Sequence, residues 1–170
     1  ASIVQNFYTS RQAESVAKFF LPHLKPGMTL LDCGCGPGTI TLDLAELVAP
    51  ARVVGIDIEA GMVEQAKVLA KERKIDNIEF RVADILKLPF FDESFDVVFT
   101  SAVLEHLLDP SQALQELCRV VKSTGLVGVI TTDWGDPLIS PNDESVNRFF
   151  ELFERGFNRY GGSLNRGRHV

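Results

Sequence analysis

The sequence predicts an α/β fold, a Rossmann-like doubly wound parallel sheet with helices on both faces. Short apolar segments alternate with helical ones along residues 28–132, which is typical of such a sheet. Most of the short segments are continuous apolar runs, as expected of strands that are buried on both faces. A glycine-rich loop follows the first of them directly, where such sheets bind ligands. With 170 residues, 45% of them hydrophobic, the chain is predicted to form a single domain over residues 1–170.

Hydrophobic periodicity assigns each element in chain order. The third strand differs from the others, because Ile78, Phe80 and Val82 alternate with Glu79 and Arg81. One apolar and one polar face suit an edge strand, so the sheet order is predicted to be 3-2-1-4-5. Helices are predicted over residues 10–24, 39–49, 60–74 and 111–121, and strands over residues 28–32, 52–58, 77–83, 95–102 and 125–132.

Two segments flank the predicted cofactor-binding core of residues 28–132. Residues 1–27 are interpreted as a helical N-terminal cover, and residues 133–170 as a loop followed by a helix with an aromatic face. That face either packs into the core or belongs to a lid whose rings line a substrate pocket, and the sequence leaves both interpretations open. The residues of the face are Val146, Phe149, Phe150, Phe153 and Phe157.

Charge and cysteine usage argue against several classes of function. A formal net charge of −6 gives no electrostatic reason to bind nucleic acid or an anionic membrane. No apolar run approaches the ~20 residues of a membrane span, and no signal peptide is recognised. The sequence has three cysteines, Cys33, Cys35 and Cys118, and no secretory features are recognised in it. This predicts reduced thiols in the cytoplasm. Because no second Cys or His pair has zinc-site spacing, no metal site is expected.

The loop sequence LLDCGCGPG, residues 30–38, indicates a ligand that contains a ribose. Asp57 ends the second strand, where a carboxylate can accept hydrogen bonds from both ribose hydroxyls. NAD and S-adenosylmethionine both contain a ribose, and charge distinguishes them. Carboxylates at Asp32 and Asp84, which end the first and third strands, would repel a pyrophosphate and attract a sulfonium and an ammonium group. Thr39 also stands where the dinucleotide fingerprint has its third glycine, so S-adenosylmethionine is the expected cofactor.

Each of these carboxylates also has a structural interpretation. Asp57 could be an ordinary strand-end residue, Asp32 could accept hydrogen bonds from loop amides, and Asp84 could cap a turn. Their shared position at the carboxyl ends of three strands favours the ligand-binding interpretation in each case.

From about Phe7 to its C-terminus the chain resembles class I S-adenosylmethionine-dependent methyltransferases, in particular the group that includes the quinone-biosynthesis C-methyltransferases. The segment LLDCGCGPGTITLDLA resembles the glycine-loop motif of that family, and VVGIDIEAGMVEQA its ribose segment. The acid after strand three, strand four and the following loop are matched by FRVADILKLPFFDESFDVVFTSAVLEHLLDP. The turn into strand five is matched by LCRVVKSTGLVGV.

The resemblance implies a set of cofactor contacts and a substrate side. Arg11 would lie on an N-terminal helix that similar proteins fold over the cofactor, and the substrate side would open at Glu105 and His106. The implied contacts are Asp32, Gly34, Cys35 and Gly36 for the methionine moiety and ribose, Asp57 for the ribose hydroxyls, Ile58, Met62, Asp84 and Ile85 for the adenine, and Thr100 and Ser101 for the methionine end.

The expected reaction is methyl transfer to a small-molecule acceptor. A general base helps only if the nucleophile must lose a proton, and His106, just after strand four, is the best-placed candidate; a structural hydrogen bond is the alternative. Tyr8 and Asp133 are weaker candidates, and Trp134 could stack on a flat substrate or simply pack. Nucleic-acid adenine methyltransferases of this fold have an Asn/Asp-Pro-Pro-aromatic stretch where this chain reads TSAV, residues 100–103, so a base amino group is not the expected target.

The similar family usually closes its sheet with two further strands, the last of them antiparallel. Only 38 residues follow Thr132, so the chain is expected to be C-terminally truncated or part of a longer protein. With the edge of strand five unpaired, it is expected either to form a homodimer there or to keep about its last 15 residues poorly ordered. A non-catalytic S-adenosylmethionine-binding module and, less favoured, an NAD-dependent oxidoreductase are the alternative functions.

Overall fold

Five parallel strands form one sheet in the order β3-β2-β1-β4-β5. The structure is a computed structural model, which describes residues 11–133, 143–159 and 161–164. The predicted fold class and strand order are both confirmed. The strands are β1 (Leu30–Cys33), β2 (Val53–Asp57), β3 (Ile78–Val82), β4 (Phe95–Ser101) and β5 (Val121–Ile130).

Helices cover both faces of the sheet because alternate strand residues point to opposite sides. The helices are α1 (Ala13–Val16), α2 (Thr39–Val48), α3 (Ala60–Arg73), α4 (Pro110–Val120) and α5 (Glu144–Arg159), and short 3-10 turns lie at Leu21–His23 and Leu104–His106. On one face, Leu30 of β1 and Val97 of β4 pack with α1 and α2; on the other, Leu31 of β1 and Val98 of β4 pack with α4.

The N-terminal helix is shorter than predicted, because α1 covers only Ala13–Val16 where the periodicity indicated residues 10–24. The Leu21-Pro22 sequence disfavours a continuous helix, since a proline lacks the amide donor and clashes with the preceding turn. The apolar face is nevertheless used as core. Phe20 is buried with its ring 5.2 Å from that of Phe99, measured between centroids.

The last strand begins earlier than predicted, at Val121 and not at residue 125. Val121 pairs with Phe95 directly after α4, and the next pair joins Leu126 to Val97. The polar residues between them therefore form an irregularity within β5, although their sequence reads as a turn. The predicted edge position of β3 is confirmed, since β3 pairs only with β2 among the described strands.

The aromatic face of α5 lies outside the core. No described side chain of this helix is buried, and Phe149 is 58% exposed. Four rings contact one another along it, and Phe157 joins the helix to the body of the protein. Core packing, one of the two interpretations of this face, is therefore not what the described residues show.

Two expectations about the C-terminal part have no outcome here. No strand follows β5 in the described part of the chain, and the expectation about the last 15 or so residues falls partly on residues 160 and 165–170, outside the described ones. Among the helices that the structure describes, none combines the length and the apolar character that crossing a membrane requires.

Candidate cofactor and substrate site

A cavity of about 480 Å³ opens at the carboxyl ends of β1, β2 and β4. This is where strand order reverses in a doubly wound sheet and where such folds bind their ligands. Its wall has four parts, which follow β1, β2, β3 and β4 in turn. All the cofactor contacts that the resemblance implies, except Thr100, contribute to it: Asp32, Gly34, Cys35, Gly36, Asp57, Ile58, Met62, Asp84, Ile85 and Ser101.

The glycine loop forms the floor of the cavity and cannot carry side chains at two positions. Gly34 has φ +77°, and a Cβ there would overlap Val103 Cγ2. Gly38 has φ +84°, and a Cβ there would lie 2.8 Å from Ala66 Cβ. Because positive φ is costly for other residues, the loop presents main chain to the ligand. Sequence reasoning missed Val103, since only the fold brings it against a residue so far away along the chain.

The Asp57 carboxyl group supports the loop from the end of β2. Its Oδ2 accepts a hydrogen bond from the Gly36 amide (2.9 Å), and its Oδ1 accepts one from the Glu59 amide (2.9 Å). Each carboxylate oxygen has a second lone pair, so the group on the cavity wall can still accept from a ligand. The structural and ligand-binding interpretations of Asp57 are therefore compatible.

Asp32 is a buried acid on the cavity wall. Only 3% of the residue is exposed, and its Oδ2 accepts a hydrogen bond from the Thr41 hydroxyl (2.6 Å). Burial raises the pKa of this carboxyl group to about 7; the Thr41 hydrogen bond opposes that rise, the negative charge of Asp57 adds to it, and Arg11 opposes it. A cation bound in the cavity would favour the ionised form of Asp32. This agrees with the expectation that the strand-end acids attract a cationic ligand.

Arg11 reaches the cavity from the segment before α1. Its Nη2 donates to Ser101 Oγ at 2.7 Å, and both residues lie on the wall. The guanidinium therefore supplies a positive charge at the end of the cavity where Ser101 ends β4, beside the buried acid. A bound amino acid moiety, with one carboxylate and one ammonium group, matches this pair of opposite charges.

The two cysteines of the glycine loop are buried. Burial raises the pKa of the Cys33 thiol and of the Cys35 thiol well above the ordinary value, and the charge of Asp32 adds to both shifts. Cys35 lies on the cavity wall, and its thiol donates to the Gly36 carbonyl. Neither thiol is a nucleophile at neutral pH, because that role requires the thiolate.

The opposite end of the cavity is lined by apolar residues and by the acids Glu59 and Asp84. Asp84 Oδ1 accepts a hydrogen bond from the Leu86 amide (2.9 Å), so the acid does cap a turn while it faces the cavity. Ile85 is buried beside it, and Ile58 across the cavity is 67% exposed. A flat aromatic group placed here would cover apolar surface and find one acceptor at its edge, which is what an adenine requires.

Two residues, one in β4 and one in the turn after it, do not lie where the resemblance implied. Thr100 is fully buried, and its hydroxyl donates to the Cys33 carbonyl (2.9 Å), so it joins β4 to β1 and does not reach the cavity. Glu105 is also turned away from the cavity, with 2% of the residue exposed. Ala102, which sequence reasoning did not select, lies on the wall with φ +58°.

His106 lines the cavity and is exposed to solvent, so it lies at the mouth. Its ring is 4.9 Å from that of Phe157, measured between centroids, so α5 contacts the site through an aromatic pair. Leu107 also belongs to the wall and was not predicted, although it directly follows a predicted residue. Tyr8 and Trp134 lie outside the described residues, and Asp133 is described but does not line the cavity. No cluster of metal-ligating side chains occurs in the part of the chain that the structure describes.

Comparisons with known proteins agree with this geometry. An uncharacterized methyltransferase of Schizosaccharomyces pombe is 34% identical over 175 residues, which cover 99% of this chain and 63% of that protein. A demethylmenaquinone methyltransferase of Lactobacillus johnsonii is 34% identical over 142 residues, 81% of this chain and 58% of that protein. The crystal structure of an S-adenosylmethionine-dependent methyltransferase from Aquifex aeolicus superposes with a TM-score of 0.65 at 27% identity, covering 82% of this chain and 77% of that one.

The chain spans about half the length of the curated relatives that it matches. The family described as a methyltransferase domain matches residues 24–160, which include the whole sheet and all four parts of the cavity wall. The chain is therefore a member of the S-adenosylmethionine-dependent methyltransferase family.

Proposed function

We propose that the chain binds S-adenosylmethionine in the cavity and transfers its methyl group to a small-molecule acceptor that enters beside His106. The observation that supports this most directly is the ring of three strand-end acids, Asp32, Asp57 and Asp84, around a glycine floor. A volume of about 480 Å³ suits a ligand of this size. The acidic rim favours a cationic cofactor over a pyrophosphate, and this disfavours NAD.

Each part of the cofactor has residues that would hold it. We assign the ribose hydroxyls to Asp57, the amino acid moiety to Asp32 and Arg11, and the adenine to the apolar end next to Asp84. When bound, the sulfonium supplies an activated methyl group with a neutral thioether as the leaving group. The remaining cofactor contacts in this proposal are Gly34, Cys35, Gly36, Ile58, Met62, Ile85 and Ser101.

The contribution of the protein to catalysis is mainly alignment. Holding two reactants in one orientation can lower the barrier by up to roughly 7–11 kcal/mol. In this proposal His106 accepts a proton from an acceptor hydroxyl or amine, which is supported by its place on the cavity wall and by the contact of its ring with that of Phe157. An acceptor that already has an ionised nucleophile would need only the orienting effect.

The segments around the core have proposed roles in the same reaction. Residues 1–27 would cover the cofactor through Arg11, and α5 would act as a lid over the acceptor through Phe157. The relatives that act on quinones and sterols support a small-molecule acceptor, and the acidic net charge of −6 gives no support to nucleic acid as a partner. We also propose a cytoplasmic location, because all three thiols are free in this fold, and a homodimer through the outer edge of β5.

Calorimetric titration tests the cofactor. S-adenosylmethionine and its demethylated product are expected to bind, and NAD and ATP to bind much more weakly. If NAD bound more tightly than the demethylated product, the charge argument would be wrong. Incubation with metabolite extracts should then give a product heavier by 14 mass units for the methyl group added. Tight cofactor binding with no such product in any extract would favour the non-catalytic module.

A further inference from the structure

Glu105 is a buried acid that the proposed reaction does not use. It belongs to the 3-10 turn Leu104–His106 after β4, and only 2% of the residue is exposed. Burial of a carboxyl group is unfavourable unless its oxygens are hydrogen-bonded. The side chain does not line the cofactor cavity, so its burial has another explanation.

This residue joins three separate segments of the chain. Its Oε1 accepts a hydrogen bond from the amide of Thr132, just beyond β5 (3.3 Å). Its main-chain carbonyl accepts one from the amide of Ser163, in the turn after α5 (3.2 Å). The adjacent His106 thus belongs to a turn that is bonded on one side to the sheet and on the other to the end of the lid helix.

The turn after α5 packs closely against the same place. A Cβ on Gly161 would lie 2.6 Å from Leu108 Cδ2, and one on Gly162 would lie 2.6 Å from Phe157 Cδ1 and 3.2 Å from the Glu105 carbonyl oxygen. Leu164 is 8% exposed. The helix is therefore seated on the residues around His106 by its C-terminal end, although no described residue of its length is buried.

The second oxygen of the same carboxyl group is unsatisfied. Within the described residues, neither Glu105 Oε2 nor the hydroxyl of Thr131 has a hydrogen-bond partner, and both atoms are buried. Unsatisfied buried polar atoms are rare in folded proteins and lower stability. A residue kept there at a cost in stability is better explained by the geometry it imposes on its neighbours than by its contribution to folding.

We propose that Glu105 is a positioning residue, which ties the turn after β4 to the end of β5 and to the turn after α5 and thereby orients His106 at the cavity mouth. The inference rests on the proposed function, in which His106 faces the acceptor. The orientation of the His106 ring then depends on the contact between the C-terminal end of α5 and the turn after β4.

The orientation can be measured without cofactor or acceptor. The Phe157 ring displaces the NMR signal of the His106 ring proton, and the His106→Gln spectrum identifies that signal. Phe157→Leu then gives the full displacement expected when the ring contact is lost. Glu105→Ala is expected to move the signal by at least a third of that displacement. Glu105→Gln, which keeps an oxygen that can accept from the Thr132 amide, is expected to restore the wild-type position.

A second pair of variants tests the same link from the turn after α5, where Ser163 is half-buried. Ser163→Pro removes the amide that donates to the Glu105 carbonyl, and Ser163→Ala keeps it. Only the proline variant is expected to move the His106 signal. The inference fails if Glu105→Ala and Ser163→Pro both move the signal by less than a third of the Phe157→Leu displacement. It also fails if Glu105→Gln behaves like Glu105→Ala, because the charge and not the geometry would then matter.

Cofactor titration separates this inference from the proposed function. Glu105→Ala is expected to change the Kd of S-adenosylmethionine by less than twofold, since the side chain does not touch the cavity, and to lower kcat at least tenfold with an acceptor found by the mass screen. Failure of the wild-type chain to bind S-adenosylmethionine would overturn the proposed function and leave the NMR result standing. A tenfold loss of cofactor affinity in Glu105→Ala would overturn the positioning role.

Discussion

Replacing Asp32 by asparagine is expected to stabilise the cofactor-free protein at pH 8 while it weakens cofactor binding. The carboxyl group has a pKa of about 7 in the folded chain against an ordinary value of 3.8, because burial disfavours its charge. A pKa shift of one unit corresponds to about 1.4 kcal/mol of free energy. The charged form therefore lowers the free energy of unfolding by about 4 kcal/mol above pH 7.

The sign of the pH dependence follows from the same values. Between pH 3.8 and about 7 the folded chain holds a proton on Asp32 that the unfolded chain has lost, so the free energy of unfolding falls as pH rises through this window. Below it both states are protonated, and above it both are ionised. An asparagine is neutral throughout, and its side-chain oxygen can still accept the Thr41 hydrogen bond.

Chemical denaturation at pH 4 and pH 8 measures the difference. The Asp32→Asn variant should gain little at pH 4 and up to about 4 kcal/mol at pH 8, relative to the wild type. Asp76→Asn, at an exposed position, is the matched control and should change the free energy of unfolding by less than about 0.5 kcal/mol at either pH. Parallel pH profiles for Asp32→Asn and the wild type would refute the assignment of a raised pKa to this residue.

The same variant tests the role of Asp32 in binding. At pH 8 the wild type presents a negative charge to the amino acid moiety of the cofactor, and Asp32→Asn does not, so the Kd of S-adenosylmethionine should rise at least tenfold. At pH 6 the wild-type group is mostly protonated before binding, and the two affinities should approach each other. Calorimetry at both pH values decides this, and a gap that stays constant would contradict the proposed charge pairing.

Three further predictions concern the wall of the cavity. In calorimetry, Asp57→Ala should weaken cofactor binding more than Asp84→Ala. Asp57 would make two charge-assisted hydrogen bonds to the ribose, each contributing about 1.5–3 kcal/mol, and Asp84 would make one contact to an amino group. Equal losses would contradict the assignment of the ribose. His106→Ala should lower turnover of an identified acceptor and leave the cofactor Kd nearly unchanged, and an unaltered rate would return His106 to a structural role. Gly34→Ala should lower the free energy of unfolding by about 1–3 kcal/mol and abolish cofactor binding, since its methyl group would overlap Val103; normal cofactor affinity in this variant would show that the loop can move.

The order of the sheet and most of the cavity wall were predictable because their signals are local. Asp57 ends an apolar strand and Gly34 follows one, so the position of each along its own element places it at the same edge of a parallel sheet. The alternation around Phe80 likewise marks an edge strand without knowledge of its neighbours. In these cases a few adjacent residues contain the information.

The errors have both local and distant causes. Thr100 and Ser101 are adjacent, yet one donates to a main-chain carbonyl of β1 and the other reaches the cavity, because strand side chains alternate. Glu105 is buried, with its Oε1 accepting a hydrogen bond from the Thr132 amide beyond β5. The N-terminal helix does not extend to residue 24 because Pro22 disfavours helix there, a signal that was present in the sequence but outweighed by the apolar periodicity.

The bonds between Asp57 and the glycine loop affect how fast a ligand can be captured and released. One oxygen already accepts a hydrogen bond from the Gly36 amide of the glycine loop, and the other accepts one from the Glu59 amide directly before α3, each at 2.9 Å, so the floor of the cavity exists before any ligand arrives. A preformed site loses little conformational entropy on binding, and association should not wait for the loop to rearrange. The same floor would receive the demethylated product equally well. At this end of the cavity, the main difference between cofactor and product is then the attraction that is lost when the sulfonium becomes a neutral thioether. Exchange of one for the other would therefore be driven by charge.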